Sequence, residues 1–201
     1  MWNERFAQPG YAYGREPNEF LKNRLSSFTP GKILFAAEGE GRNAVYAASK
    51  GWKVSAFDIS NEGRKKALQL AEEQGVQIDY KTGELDALGY KAGEFDGLVL
   101  IYAHFNSALR ATLHTALGKM VRKGGFVLLE GFSRKHTENQ ARNEHAGGPK
   151  DINMMFAPQE IKKDFKEFDI EQLEETTVVL NEGQYHNGLA SVVRFIGFRR
   201  D

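Results

Sequence analysis

The sequence predicts an α/β fold: a mostly parallel seven-stranded sheet with helices on both faces, closed by a C-terminal antiparallel hairpin. Three observations carry this. From Gly31 onward, short apolar runs of strand length alternate with longer helical patterns, which is the rhythm of parallel strands joined by crossover helices. The run from Phe95 to Tyr102 is nearly continuous in apolar residues, as a strand covered on both faces must be. Beyond Phe168 the helical patterns stop, and two strand-like runs at 170–180 and 189–198, joined by residues 181–188, read as a hairpin.

Each element has its own local reason. A proline at position 17 opens a helix over residues 17–28. Residues 33–37 form the first strand, and 42–50 the helix after it, stopped by Gly51. Residues 54–58 form the second strand. Ser60 caps a helix that carries Ala67, Leu68, Leu70 and Ala71 on one face and closes at Gly75. Residues 78–81 are a short, mostly polar third strand. The fourth strand follows the turn Gly93-Glu94-Phe95-Asp96, and Asn106 or Ser107 caps the next helix, with Leu109, Leu113, Leu117 and Met120 at helical spacing. Lys123-Gly124-Gly125 is expected to end that helix and 126–130 to form the fifth strand. Residues 131–156 read as a long irregular connection, the kind that is commonly functional. Pro158 then opens a helix through Ile161 and Phe165, and the stripe Phe156, Ile161, Phe165, Phe168 reads as core.

Composition bounds the function. At 201 residues the chain is expected to form one domain, 1–201. Its 27 basic and 27 acidic residues cancel, so it lacks the basic surface that phosphate contacts require, and nucleic acid is not an expected partner. With no cysteine, thiolate metal sites and cysteine nucleophiles are excluded. No stretch resembles a leader peptide or a membrane span, so a cytoplasmic protein without a membrane partner is expected.

The richest motif lies after the first strand. Ala36-Ala37-Glu38-Gly39-Glu40-Gly41-Arg42-Asn43 places a Gly-x-Gly turn between strand and helix, where glycine lets backbone N–H groups come close to a ligand. Asp58, 19 residues after Gly39 and at the end of the second strand, suits the two hydroxyls of a ribose. Together they imply an adenosine-containing cofactor. The same spacing through Ala44 also fits a dinucleotide fingerprint, so an NAD(P)-dependent reductase is one alternative and a non-catalytic cofactor-binding domain another.

These features resemble the class I S-adenosylmethionine-dependent methyltransferases, whose fold is Rossmann-like, doubly wound and mostly parallel with the same terminal hairpin. The resemblance extends through Tyr13-Gly14-Arg15-Glu16-Pro17-Asn18, Glu130-Gly131-Phe132 and Gly147-Gly148-Pro149-Lys150 to the small bacterial tellurite-resistance and thiopurine-type methyltransferases. It implies S-adenosyl-L-methionine as cofactor and a small-molecule methyl acceptor, with a thiol, a thiopurine or a metalloid oxyanion as candidates, in a monomer or homodimer. It also implies residue roles. Gly39 and Gly41, with Arg42 and Asn43, pass beneath the methionine part, Asp58 holds the ribose, and Ile59 packs on the adenine. Glu84 and Leu85 lie at the adenine amino group and Tyr102 near the methionine portion. Tyr13, Gly14, Pro17 and Asn18 belong to an N-terminal flap, within 1–30, over the cofactor. Phe35 stands where the superfamily commonly has an acid and Ala37 where it has its first glycine; Glu38 is then the expected carboxylate for the cofactor ammonium.

Candidate catalytic groups follow from position. His104, just past the fourth strand, is a general base, a polar wall, or a histidine at a helix entry without chemistry. Tyr185 and His186, in the hairpin turn, face the substrate or only solvent. His114 falls on an apolar helix stripe and reads as structural. His136 and His145 lack partners at ligand spacing, and no metal is expected. Arg134, Lys135, His136, Arg142, His145 and Lys150 make 131–157 locally basic, either a lid for an anionic acceptor or a solvated loop.

Overall fold

A computed structural model describes residues 1–201. Along the chain the elements are α1 (Trp2–Phe6), α2 (Glu19–Leu25), β1 (Lys32–Ala36), α3 (Arg42–Ser49), β2 (Lys53–Asp58), α4 (Asn61–Glu73) and β3 (Asp79–Thr82). They continue with β4 (Phe95–Ile101), α5 (Ser107–Met120), β5 (Val121–Phe132), α6 (His136–Arg142), α7 (Pro158–Asp164), β6 (Phe168–Glu182) and β7 (His186–Arg199). The strands form one seven-stranded sheet in the order β3-β2-β1-β4-β5-β7-β6. β1 to β5 run parallel; β7 is antiparallel to both β5 and β6.

Alternation along the central strands sorts the core into two layers. Ile33 and Phe35 of β1 pack with Phe20, Leu21 and Leu25 of α2, Ala44 and Ala47 of α3, and Ala67 of α4. Leu34 and Leu98 belong to the other layer, with Leu117 of α5, Ile161 of α7 and Phe165 just after it. Phe35 is therefore committed to packing. A carboxylate there would lie in the first apolar layer.

Three expectations change. Lys123-Gly124-Gly125 does not end α5, which stops at Met120; it forms an irregularity inside β5, where the pairing with β4 shifts between Phe95 and Gly97. Glycine is needed there, since a Cβ at Gly125 would come 2.6 Å from the Asp96 carbonyl oxygen. The 131–156 connection is also not irregular throughout: it contains α6 and a 3-10 turn at Ile152–Met154. The hairpin is longer than its apolar runs because Glu182 and His186 still pair across it, leaving a three-residue turn, Gly183-Gln184-Tyr185. A helix at Trp2–Phe6 has no counterpart in the sequence reading. No helix is long and apolar enough to cross a membrane.

Because the chain leaves β1 toward β2 on one side and reaches β4 on the other, a crevice opens at the carboxyl ends of β1 and β4. Ligands bind open α/β sheets at such a switch point.

Candidate functional site

The turn after β1 is built by positive-φ residues: Ala37 (53°), Gly39 (62°) and Gly41 (85°). Ala37 thus holds the left-handed conformation that glycine ordinarily supplies, at the cost of backbone strain. Gly41 is the N-cap of α3, and a Cβ on it would lie 2.5 Å from the Ala67 Cβ, so this glycine also serves the close packing of α3 on α4. At Gly39 a Cβ would meet the Phe6 ring at 3.0 Å. Helix α1 therefore lies directly over the turn.

With Gly41 as cap, α3 has no side chain of its own to satisfy its first N–H groups. Glu38 does this from outside. Its Oε1 accepts from Asn43 N at 2.9 Å and Ala44 N at 2.8 Å, and the Asn43 side chain also favours the charged carboxylate. Burial pushes the Glu38 carboxyl up to about 7, against the pull of the Ala44 and Asn43 N–H groups and of Arg42. Asp58, 8% exposed, accepts from Gly39 N at 3.0 Å and Ser60 N at 2.9 Å. Burial raises its pKa while those N–H groups oppose the rise. Each oxygen keeps a lone pair for a hydroxyl donor. A carboxylate at the end of β1 and a half-satisfied carboxylate at the end of β2 fit an ammonium group and a ribose diol respectively. Beside them, Ile59 is 55% exposed and Glu84 is exposed, both open to a ligand, whereas Leu85 is buried in the core with Phe57.

Arg42 and Asn43 fasten the segment around residues 16–18, expected to be a flap, to the start of α3. Arg42 donates to the Glu16 carbonyl at 3.2 Å and to Glu182 at 2.9 Å, and Asn43 Oδ1 accepts from Asn18 N at 2.9 Å. Their polar atoms are thus engaged with the flap and the hairpin. Glu40 accepts from Ala12 N at 2.7 Å and from Lys66 at 2.9 Å, pinning the flap's first half. Gly14 (φ 75°) abuts Gly183 in the hairpin turn, and Pro17 and Asn18 are buried. Asn18 caps α2 through Oδ1 to Leu21 N at 3.0 Å and donates its amide to Glu130 at 2.7 Å and Glu182 at 3.2 Å.

On the other side of the crevice is an aromatic wall. Tyr102 adopts φ 52°, stacks on Phe132 at 4.7 Å between centroids, and donates its hydroxyl to Glu130 at 3.1 Å. Glu130 also pairs with its cross-strand partner Arg194 at 2.6 Å. The His186 ring lies 4.4 Å from Tyr13 and 4.5 Å from Tyr102; Arg5 covers Tyr185 at 4.6 Å and donates to the Tyr13 hydroxyl at 2.7 Å. His186 is the first residue of β7, and its Nδ1 faces Glu182 Oε2 at 3.1 Å. Burial lowers the His186 pKa although Glu182 opposes the drop. On Glu182, burial is outweighed by His186 and Arg42, which hold it down at about 2.

His104 has a different task. Its Nδ1 lies 2.9 Å from the Met154 carbonyl and its Nε2 accepts from Phe132 N at 3.0 Å, so neither nitrogen is free to take an acceptor proton. Burial pushes its pKa down to about 4. It ties the 132–156 connection to the end of β4. His136 is likewise spent, on the Gly147 carbonyl and Ser191 N, each at 3.3 Å. The basic segment carries less free charge than its composition implies, because Arg134 pairs with Glu160 and Lys135 with Glu175. Its Gly147 and Gly148, both at positive φ, lie against His186 and against Phe132 and His136. Sequence reasoning missed Glu182, Arg194 and the α1 contacts. Glu182 had one signal, its position four residues before His186 across a glycine-containing turn.

Comparison with known proteins follows this geometry. Residues 33–125 match a family model described as a methyltransferase domain. An uncharacterized methyltransferase of Schizosaccharomyces pombe is 28% identical over 134 residues, covering 65% of this chain and 90% of its own. The chain spans about a third of the length (35%) of the first curated relatives it matches, uncharacterized mycobacterial proteins 27% identical over 96 residues. Among solved structures, one described by the conversion of a disulfide bond into a thioacetal group during echinomycin biosynthesis superposes with TM-score 0.76 at 22% identity. It covers 99% of this chain and 88% of that one. TehB from Haemophilus influenzae gives 0.71 at 16% identity, covering 92% and 62%. Magnesium protoporphyrin IX methyltransferase from Synechocystis PCC 6803, with bound S-adenosylhomocysteine, gives 0.67 at 17% identity, covering 90% and 80%. The β1 turn, Glu38, Asp58 and the terminal hairpin thus belong to a fold shared with these structures, and the stretch 33–125 is similar to a methyltransferase domain.

Proposed function

We propose that this protein transfers a methyl group from S-adenosylmethionine to a small-molecule nucleophile held against the Tyr102–Phe132–His186 wall. The observation that carries this is the pair of acidic residues at the carboxyl ends of β1 and β2. Glu38 offers its carboxylate to an ammonium group, and Asp58 offers its remaining lone pairs to a ribose diol. When bound, the cofactor supplies an electrophilic methyl on a sulfonium sulfur.

The protein's own contribution is placement and desolvation. Holding acceptor and methyl roughly 3–3.5 Å apart in line supplies much of the rate, so a site with few catalytic side chains suffices. Tyr13, Tyr102 and Phe132 exclude water and present ring faces to positive charge. His186 takes the acceptor proton at Nε2, which has no hydrogen-bond partner in the protein. Tyr185, held under Arg5, closes the side. His104 positions the 132–156 connection, and that connection with its two glycines forms a lid over the acceptor. A polarisable acceptor such as a thiol, a thiopurine or a metalloid oxyanion suits aromatic walls better than a nucleic acid does, and the protein has no net charge to draw a polyanion.

Titration calorimetry with S-adenosylmethionine, S-adenosylhomocysteine and NADH tests the cofactor. Binding of the first two and not the third is expected; NADH binding alone would replace the proposal with a reductase. Turnover is then measured with thiols, thiopurines and metalloid oxyanions, and cofactor binding without turnover on any of them would favour a non-catalytic domain.

A further inference from the structure

Glu182 stands where three parts of the molecule meet. It is the last residue of β6, and it lies directly opposite His186 in the antiparallel ladder. Cross-strand partners present their side chains on the same face, so the three-residue turn forces this carboxylate and this imidazole together. Oε2 faces His186 Nδ1 at 3.1 Å and accepts from Arg42 at 2.9 Å, while Oε1 accepts from the Asn18 amide at 3.2 Å. Arg42 opens the helix after the glycine turn, and Asn18 is the end of the flap. The tip is locked against the flap by a second set of contacts: Gln184 N donates to the Ala12 carbonyl at 2.9 Å, and Gly183 abuts Gly14.

The carboxylate side of the imidazole has a chemical consequence. An ionised Glu182 accepts only, so the Nδ1 facing it carries the hydrogen and the lone pair is left on Nε2. Nε2 has no partner in the protein and lies beside Gly147. The same oxygens that select this tautomer also hold Asn18 and Arg42. We propose that Glu182 is a positioning residue that sets the tautomer of His186 and, through Asn18 and Arg42, ties the same carboxylate to the 11–18 flap, so that cofactor bound beneath the flap is felt at the base. This rests on the methyltransferase reading above and extends it to a link between the cofactor and the base.

Other groups around His186 bear on its titration. Arg42 from α3 and Arg5 from α1 lower its proton affinity, as burial does. Tyr13 of the flap and Tyr102 after β4 stack on it, and His104 and His136 are near enough to be affected by its charge. Among these, Glu182 alone favours the protonated ring.

The test is 15N NMR of histidine-labelled full-length protein, with the His186 signals assigned by loss in His186→Gln, recorded with and without S-adenosylhomocysteine. In the wild type, His186 is expected in the Nδ1–H form, with nitrogen shifts that move on adding the ligand. In Glu182→Gln the Nε2–H form should become populated and the apparent pKa fall by about one unit, as loss of an opposite charge predicts. Glu182→Asp, which keeps the charge, should restore the wild-type tautomer at least in part and guards against a folding defect in the amide variant. Asn18→Ser keeps an N-cap oxygen for α2 but removes the amide. It should weaken S-adenosylhomocysteine binding about tenfold and abolish the ligand-dependent His186 shift. Unchanged His186 tautomer and titration in Glu182→Gln would overturn the positioning role, and a full ligand-dependent shift in Asn18→Ser would overturn the coupling. Failure of S-adenosylhomocysteine to bind the wild type would overturn the methyltransferase reading itself, a result distinct from either.

Discussion

At the scale of single residues, two side chains have opposite relations to their protons. Glu38 has a pKa of about 7 in the folded protein against an ordinary 4.5, because burial penalises its charge. A carboxyl whose folded pKa is raised binds more protons folded than unfolded. Its contribution to stability therefore declines as pH rises from about 4.5 through about 7. An ammonium ligand reverses that penalty. Cofactor affinity is thus expected to rise severalfold between pH 6 and 7.5 in the wild type and to lose this pH dependence in Glu38→Gln. At pH 7.5 Glu38→Gln should bind S-adenosylhomocysteine at least tenfold more weakly while melting no lower than wild type; calorimetry and thermal melts measure the two. Equal affinity in the variant would remove Glu38 from the site. His104 differs in that both nitrogens already have partners. His104→Ala strips the Phe132 N–H and the Met154 carbonyl of theirs, a loss of about 1–3 kcal/mol. Faster amide exchange at Phe132 and along 152–156 is expected. Lost turnover with unchanged exchange would instead make His104 the base.

At the scale of elements, α7 is held to α5 by charge as well as by its apolar face. Asp164, on α7, accepts from Arg110 at 3.3 Å and faces His114 Nδ1 at 2.9 Å, with both partners on α5 and all three buried. Asp164→Ala leaves a buried guanidinium with one acid fewer and is expected to destabilise the fold by about 3–5 kcal/mol. Asp164→Asn, similar in shape, should cost less, and chemical denaturation of the pair gives the difference. None of this was legible beforehand. His114 reads as structural from its helical stripe, but Asp164 lies 50 residues away, and long-range polar pairing leaves no periodic trace. What was legible followed local rules. The strands β1, β2 and β4 show their burial as apolar runs, Ser60 and Asn106 announce their helices by capping, and the glycine turn announces the crevice. Where local rules failed, a long-range contact had decided the outcome. β5 absorbs Lys123-Gly124-Gly125 because β4 pairs on both sides of it, and α1 forms where Phe6 can cover Gly39. The cofactor side of the site was readable because it is built from two strand ends with fixed motifs. On the proposed acceptor side Tyr13, Tyr102 and His186 were legible by position, but Glu182 was not, because its pairing with Arg42 and Asn18 joins separate segments.

At the scale of the whole molecule, four of the five histidines, His104, His114, His136 and His186, are held below their ordinary pKa, chiefly by burial. For such a base the unfolded chain takes up the proton that the folded chain refuses. Stability is then fully present above about pH 6.5 and is lost as pH falls toward the folded values, which for His104 means about 4. Glu38 works against this over the same range by holding one proton in the folded state, and the raised carboxyl of Asp58 adds to that opposition at the acid end. The histidines outnumber them. A net uptake of protons on unfolding is therefore expected near pH 5.5, each histidine contributing at most one proton, or about 1.4 kcal/mol per pH unit. Melting temperature should therefore stay nearly flat from pH 7 to 8 and drop steeply below pH 6. Replacing His136, whose ring stacks on Phe132 from within the 131–157 connection, with Gln should flatten the slope by up to one proton. A melting curve that stays level down to pH 5 would mean that the buried histidines gain their protons without unfolding the protein.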